Sequence, residues 1–177
     1  MPRTPRALVL VPLAFALACA GGPAPRPASA PAHATPGAAA QGAPAATRLH
    51  AAVVRTATAM IGAPYRFGGH SPSGFDCSGL VVYSYARAGL TGLPHSAAAL
   101  ERRARPVPLD RLEPGDLLFF DLAGRKAAHV AIYLGDDAFV HAPSAGKRVE
   151  RVPFDHAYWG AHIRRAGRLV PTSARRD

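Results

Sequence analysis

Cysteine is almost absent from this 177-residue chain, where Cys19 and Cys77 are the only two. So few thiols exclude a disulfide-stapled scaffold; a single Cys19–Cys77 bridge would tie down the head of a tail and constrain little. Neither a C-x-x-C nor an H-x-x-x-H pair occurs, so the paired ligands of a zinc module are missing, and no metal or organic cofactor is expected. Acidic side chains are scarce too, 11 against 21 Lys plus Arg, for a formal charge of +10. Such an excess suits an anionic environment such as a cell envelope. Nucleic acid is the competing partner of a basic chain, but no basic stripe interleaved with aromatics is present, and nucleic-acid binding is not expected. No apolar run approaches the roughly 20 residues of a membrane-spanning helix, and no internal repeat is visible.

What is present begins with a leader. Arg3 and Arg6 precede an apolar run from Ala7 to Leu17, and small residues lead to Cys19. This is the pattern of a secretory signal peptide over residues 1–18. "FALAC" places Cys19 directly after small residues, so a diacylated Cys19 anchoring an exported chain to a membrane is expected. Cleavage at the A-x-A of Ala16 and Ala18, releasing a soluble protein, is the alternative. With Cys19 acylated, Cys77 is the only free thiol of the mature chain. Residues 19–47 are nearly all Ala, Pro and Gly and read as a disordered tether. Residues 171–177 read as a flexible tail, leaving one domain over residues 48–170, expected to be a monomer.

Leu49, Val53, Ala57 and Ile61 recur at helical spacing until Gly62 and Pro64. A second helix is expected from Cys77 to Ala88 and a third from about Ser96 to Arg103. The pattern then changes to short strands: Asp116–Asp121, His129–Gly135, Ala138–Ala142, Arg148–Val152 and Ile163–Leu169, with a hairpin turn at Asp136 and Asp137. Helices first and an antiparallel sheet after them predict an α+β domain with one core.

Within "GFDCSGL", Asp76 has the chemistry of a helix N-cap and Cys77 falls in the first turn. Unpaired N–H groups and the helix dipole there favour a thiolate, and Gly79 is expected to leave room for a substrate. Strand alternation sets His129 on one face with Ala131 and Tyr133, and His141 on the face of Phe139. Two adjacent antiparallel strands would bring the two imidazoles together, one as base to the thiol and one as its orienting partner. The same three residues would also suit zinc, and each alone reads as a satisfied structural side chain; nucleophilic catalysis accounts for all three together. The remaining histidines (His33, His50, His70, His95, His156, His162) are expected to be structural or solvent-facing, with His70 and His95 near a cleft.

"GAPYRFGG", "GFDCSGLV", "PGDLLFF" and "HVAIYLGDDAFVHA", in that order, resemble the NlpC/p60 family of cell-wall cysteine peptidases from about Ala52 to Leu169. The resemblance implies a papain-like fold and hydrolysis of an amide in peptidoglycan stem peptides, typically after D-glutamate at its γ-carboxyl. It implies Cys77 as nucleophile, His129 as base and His141 as the orienting third residue. Tyr65 would stand near the oxyanion, and Asp76 and Ser78 would face the amino end of the substrate. The family often shows Leu-Pro-Arg and then a Gln where this chain has His95 and Leu100, positions expected to border the cleft. A non-catalytic peptidoglycan-binding lipoprotein and a related papain-like wall amidase are the competing readings.

Overall fold

A computed structural model describes residues 44–171. The leader, Cys19, the linker up to residue 43 and the tail beyond Pro171 lie outside the described residues.

The first helix, α1 (Ala45–Ala59), begins within the stretch expected to be linker and buries Leu49, Val53 and Ala57. Those three are spaced by four residues, so they stack as one stripe, packed chiefly on the helix that starts at Cys77. His50 is buried beside them, and its Nε2 meets the Leu169 carbonyl at 3.0 Å. A small antiparallel hairpin follows, β1 (His70–Ser71) and β2 (Gly74–Phe75), which the sequence pattern did not indicate. It delivers the chain to α2 (Cys77–Arg87), whose N-cap is Asp76. Helix α3 (Ala97–Arg103) completes the helical half.

Six antiparallel strands form the main sheet: β3 (Arg105–Val107), β4 (Leu117–Leu122), β5 (Arg125–Gly135), β6 (Ala138–His141), β7 (Glu150–Pro153) and β8 (Ile163–Arg168). Their order is β3-β8-β4-β5-β6-β7. A short helix, α4 (Ala157–His162), lies between β7 and β8. Alternation divides the side chains as expected. Leu117, Phe119, Val130, Ile132 and Val140 join the core under α1, α2 and α3. Leu118, Phe120, Ala131, Tyr133 and Phe139 form a second cluster, with Trp159 and Phe154 packed on it. The chain is therefore α+β, with helices on one face of an antiparallel sheet and a smaller apolar cap on the other.

Both residues of the β5–β6 turn, Asp136 and Asp137, have φ of +47°, as a two-residue hairpin with positive φ at both centres requires. β5 starts at Arg125, four residues before the expected position, because Arg125, Lys126 and the surrounding alanines carry no apolar alternation to announce a strand. Asp116, fully buried, receives two hydrogen bonds from Arg168, Nε to Oδ1 at 2.7 Å and an Nη to Oδ2 at 2.8 Å. Tyr85 Oη donates to the Gly115 carbonyl at 2.7 Å. These bonds pin α2 and β8 to the start of β4 and hold the sheet in register under the helix that carries Cys77.

Candidate active site

Asp76 organises the surroundings of Cys77. Its Oδ1 accepts from the Gly79 N–H at 2.6 Å and the Ser78 hydroxyl at 3.0 Å, and lies 2.9 Å from His95 Nε2. Its Oδ2 accepts from the Gly68 N–H at 2.9 Å. One carboxylate thus caps α2 and ties down the loop before it. Burial alone would raise its pKa, but the Gly79, His95 and Ser78 hydrogen bonds outweigh that and hold it below the ordinary value. Its acceptor sites are occupied by its own chain, and the Ser78 hydroxyl is spent on it. Both side chains brace the loop and the helix start around Cys77.

Gly79 also differs from expectation. A Cβ there would collide with the Gly69 carbonyl, so the missing side chain admits the preceding loop, not a substrate. Asp76 N–H donates to that same carbonyl at 2.9 Å.

Cys77, half-buried at the head of α2, is a free thiol. The N–H groups of Val130, Ser78 and Cys77 itself pull its pKa down, as a helix N-terminus should. Burial, the largest effect, and the Asp76 charge push it up, and the net shift is upward. Cys77 therefore rests as a thiol, not as a preformed thiolate. Val130 follows His129 directly, so the strand that supplies an N–H to the sulfur also supplies the imidazole.

His129 and His141 are brought together as expected: His129 Nε2 lies 2.7 Å from His141 Nδ1. Both are buried, at 4% and 0% exposure. Burial moves the His129 pKa down to about 4, and burial with the His129 and Lys147 charges moves that of His141 down to about 3. Both rings are neutral at neutral pH. A neutral imidazole has the free ring nitrogen that a general base needs.

Trp159 is the residue that sequence reasoning missed. Its ring stacks on His129 at 5.2 Å and 28°, and meets His141 edge-on at 4.5 Å. Phe120 adds a third ring against His129 at 5.8 Å. The available signal was that Trp159 is the only tryptophan in the chain, set in a short segment between two strands.

Tyr65 is half-buried, with its N–H donating to the Lys147 carbonyl at 2.9 Å. Burial raises its pKa most, and the Cys77 and Asp76 charges raise it further. Of the two departures from the family pattern, His95 does touch the site, through Asp76. Leu100 does not: it is fully buried, its aliphatic side chain packed in the core cluster beneath the sheet-facing helices. Among the described residues, no three His, Cys, Asp or Glu side chains converge as a metal site.

The model of the NlpC/P60 family matches residues 62–168, more than half of the chain and all of the elements just described from Cys77 to β8. The chain belongs to the NlpC/P60 family. Across 104 residues this NlpC/P60 domain is 47% identical to a probable endopeptidase of Mycobacterium tuberculosis, covering 59% of this chain and 26% of that protein. It is 40% identical over 114 residues to the murein DD-endopeptidase MepH of Escherichia coli, covering 62% of this chain and 42% of MepH. It is 39% identical over 100 residues to a gamma-D-glutamyl-L-lysine dipeptidyl-peptidase of Bacillus subtilis, covering 55% and 33%. The chain thus spans about a quarter to under a half of the length of these relatives. Among solved structures, the NlpC/p60 domain of the peptidoglycan hydrolase SagA matches with a TM-score of 0.60 at 32% identity, over 68% of this chain and 98% of that domain.

Proposed function

We propose that this NlpC/P60 protein is a cysteine endopeptidase that hydrolyses amide bonds in peptidoglycan stem peptides, at the bond between D-glutamate's γ-carboxyl and the following diamino acid. The observation that carries the reading is the buried 2.7 Å contact between His129 and His141, on the strand whose next residue, Val130, turns its N–H to the Cys77 sulfur. In this reading the thiol of Cys77 gives its proton to His129 as the sulfur attacks the scissile carbonyl. His129 then protonates the leaving amine, and water activated by the same ring hydrolyses the thioester. The Cys77 backbone N–H and the Tyr65 hydroxyl hold the oxyanion. Asp76 and Ser78 contribute by fixing the loop and helix on which the nucleophile stands.

Export behind a signal peptide at residues 1–18, with Cys19 as the acylated anchor, belongs to the same reading. A basic domain on a tether would stay near an anionic envelope and its peptide substrate.

The test is mass spectrometry of muropeptides incubated with the full chain, wild type beside Cys77→Ala. New fragments ending at D-glutamate, made by the wild type alone, support both the chemistry and the bond. Conversion of crosslinked dimers to intact monomers moves the bond to the crosslink, the cleavage named for MepH. Muropeptides untouched by the wild type overturn the peptidase reading.

A further inference from the structure

We propose that Glu150 is a positioning residue that sets the tautomers of His141 and, through it, of His129, so that the working chain is Cys77, His129, His141, Glu150. The proposal rests on the cysteine-peptidase reading above. For His129 to take the thiol proton, one of its ring nitrogens must be bare. Its Nε2 is engaged with His141 Nδ1 at 2.7 Å, so the bare nitrogen facing the thiol must be Nδ1. A neutral ring then carries its proton on Nε2 and donates it to His141 Nδ1. His141, accepting at Nδ1, must in turn keep its own proton on Nε2.

That Nε2 is fully buried and has no well-aligned hydrogen-bond partner among the described residues. The Glu150 Oε1 stands 3.3 Å from it. The backbone holds the pair opposite each other, since β6 and β7 align His141 directly with Glu150. The carboxylate is 46% exposed, so its side chain has the freedom to swing onto the N–H axis. An ionised carboxylate only accepts hydrogen bonds, so it selects the Nε2–H form of His141. In the opposite arrangement His141 would donate from Nδ1, the His129 proton would move to its Nδ1, and the thiol would face an N–H in place of a base. An acceptor-only group two links back therefore decides whether a base is available. Because burial keeps both rings neutral, the bond that Glu150 makes on swinging inward is an N–H to carboxylate hydrogen bond and not an ion pair.

Glu150 has competitors for its carboxylate. It lines a cavity of about 670 Å³ together with Lys147, Arg151, His156 and Trp159. Lys147 also acts on His141, opposing its protonation. Lys147 and Arg151 offer Glu150 an outward alternative, while the buried Nε2–H, which has no other acceptor of good geometry in the described residues, draws it inward.

The experiment uses the full chain with 15N-labelled histidine, in the wild type, E150Q and E150A. Long-range 1H–15N spectra read the tautomers without any substrate, and muropeptide turnover is followed alongside. The wild type is expected to show Nε2–H on both rings. Either variant should shift part or all of the His129 signal to Nδ1–H and lower kcat by roughly 10- to 100-fold, with KM changed less than about twofold. E150Q keeps the size of the side chain, so it decides the matter where E150A fails to fold. Unchanged tautomers, or a kcat within twofold of the wild type, overturn the role of Glu150. Should wild type and variants all leave muropeptides intact, the peptidase reading falls, and the nitrogen spectra still decide whether Glu150 sets the tautomers.

Discussion

His129 Nε2 and His141 Nδ1 lie 2.7 Å apart, and the ring of Trp159 packs on both imidazoles. A hydrogen bond at that distance between two buried neutral rings fixes the orientation of each. His141→Ala removes the partner and leaves His129 free to rotate or to change tautomer. The expected loss is about 10²- to 10⁴-fold in kcat, as when the orienting member of a triad is removed. Cys77→Ala should abolish turnover outright while shifting the urea midpoint little, because the change removes a single sulfur atom at the edge of the core. Single-turnover assays of both variants beside equilibrium urea unfolding check this. A His141→Ala enzyme at wild-type rate would show that His129 needs no partner.

The depressed histidine pKa values set a pH window for stability. In the unfolded chain each imidazole titrates near 6.5, whereas in the fold His129 titrates near 4 and His141 near 3. Between those values the unfolded state binds protons that the native state does not. Stability is therefore fully present above pH 6.5 and falls as the pH drops from 6.5 toward 3, by a few kcal/mol in order of magnitude. Urea titrations from pH 7.5 to 3.5 should show this decline, and it should be smaller in His141→Ala. The rate should also survive acid: His129 remains a free base below pH 6, so the acidic limb of kcat/KM is expected nearer pH 4 to 5 than 6.5. A limb at 6.5 would mean that substrate binding or solvent rehydrates the ring.

Much of this was legible in the residues. The strict alternation of "HVAIYLG" sorts His129, Ala131 and Tyr133 from Val130, Ile132 and Leu134, and the two sets lie on opposite faces of β5. Asp76 before a helical run announces a cap, and it is one. What eluded the sequence depends on distant packing. The value of Gly79 comes from a loop ten residues earlier, and Leu100 is core only because α3 turns inward. Helix N–H groups at Cys77 do act as expected, yet the degree of burial that overrides them is a tertiary property. Glu150 stands eight residues past the last recognisable block, and its alignment with His141 is a matter of register.

Gly79→Ala tests the contact between that loop and α2. The added Cβ collides with the Gly69 carbonyl, a backbone atom that has no rotamer to change, and comes within 3.0 Å of His95 Nε2. Alanine normally favours a helix interior over glycine by about 1 kcal/mol. Here the loop must move, and a net destabilisation of about 1–3 kcal/mol is expected. Displacing Gly69 also disturbs the Asp76 N–H bond to its carbonyl, so activity should fall with stability. Thermal unfolding and muropeptide turnover measure both; a variant more stable than the wild type would show that the loop yields freely.

Trp159 offers the last test, because it separates dryness from geometry at the histidine pair. Its indole covers His129 by stacking and His141 by its edge, and desolvation is the main cause of the lowered His129 pKa. Trp159→Ala opens that face to water while leaving the His129–His141 hydrogen bond in place. The His129 pKa should then climb from about 4 toward 6.5, and the acidic limb of kcat/KM should climb with it. At pH 5 the variant is expected to lose most of its activity, whereas at pH 8 it should retain a substantial part. Trp159→Phe keeps an apolar ring over the pair and should move the limb by less. The stability loss in the Ala variant should reach about 2 kcal/mol, below that of a fully buried tryptophan because Trp159 is only half-buried. A pH profile of kcat/KM for the three proteins decides the matter: parallel profiles with unchanged midpoints would assign Trp159 to packing alone.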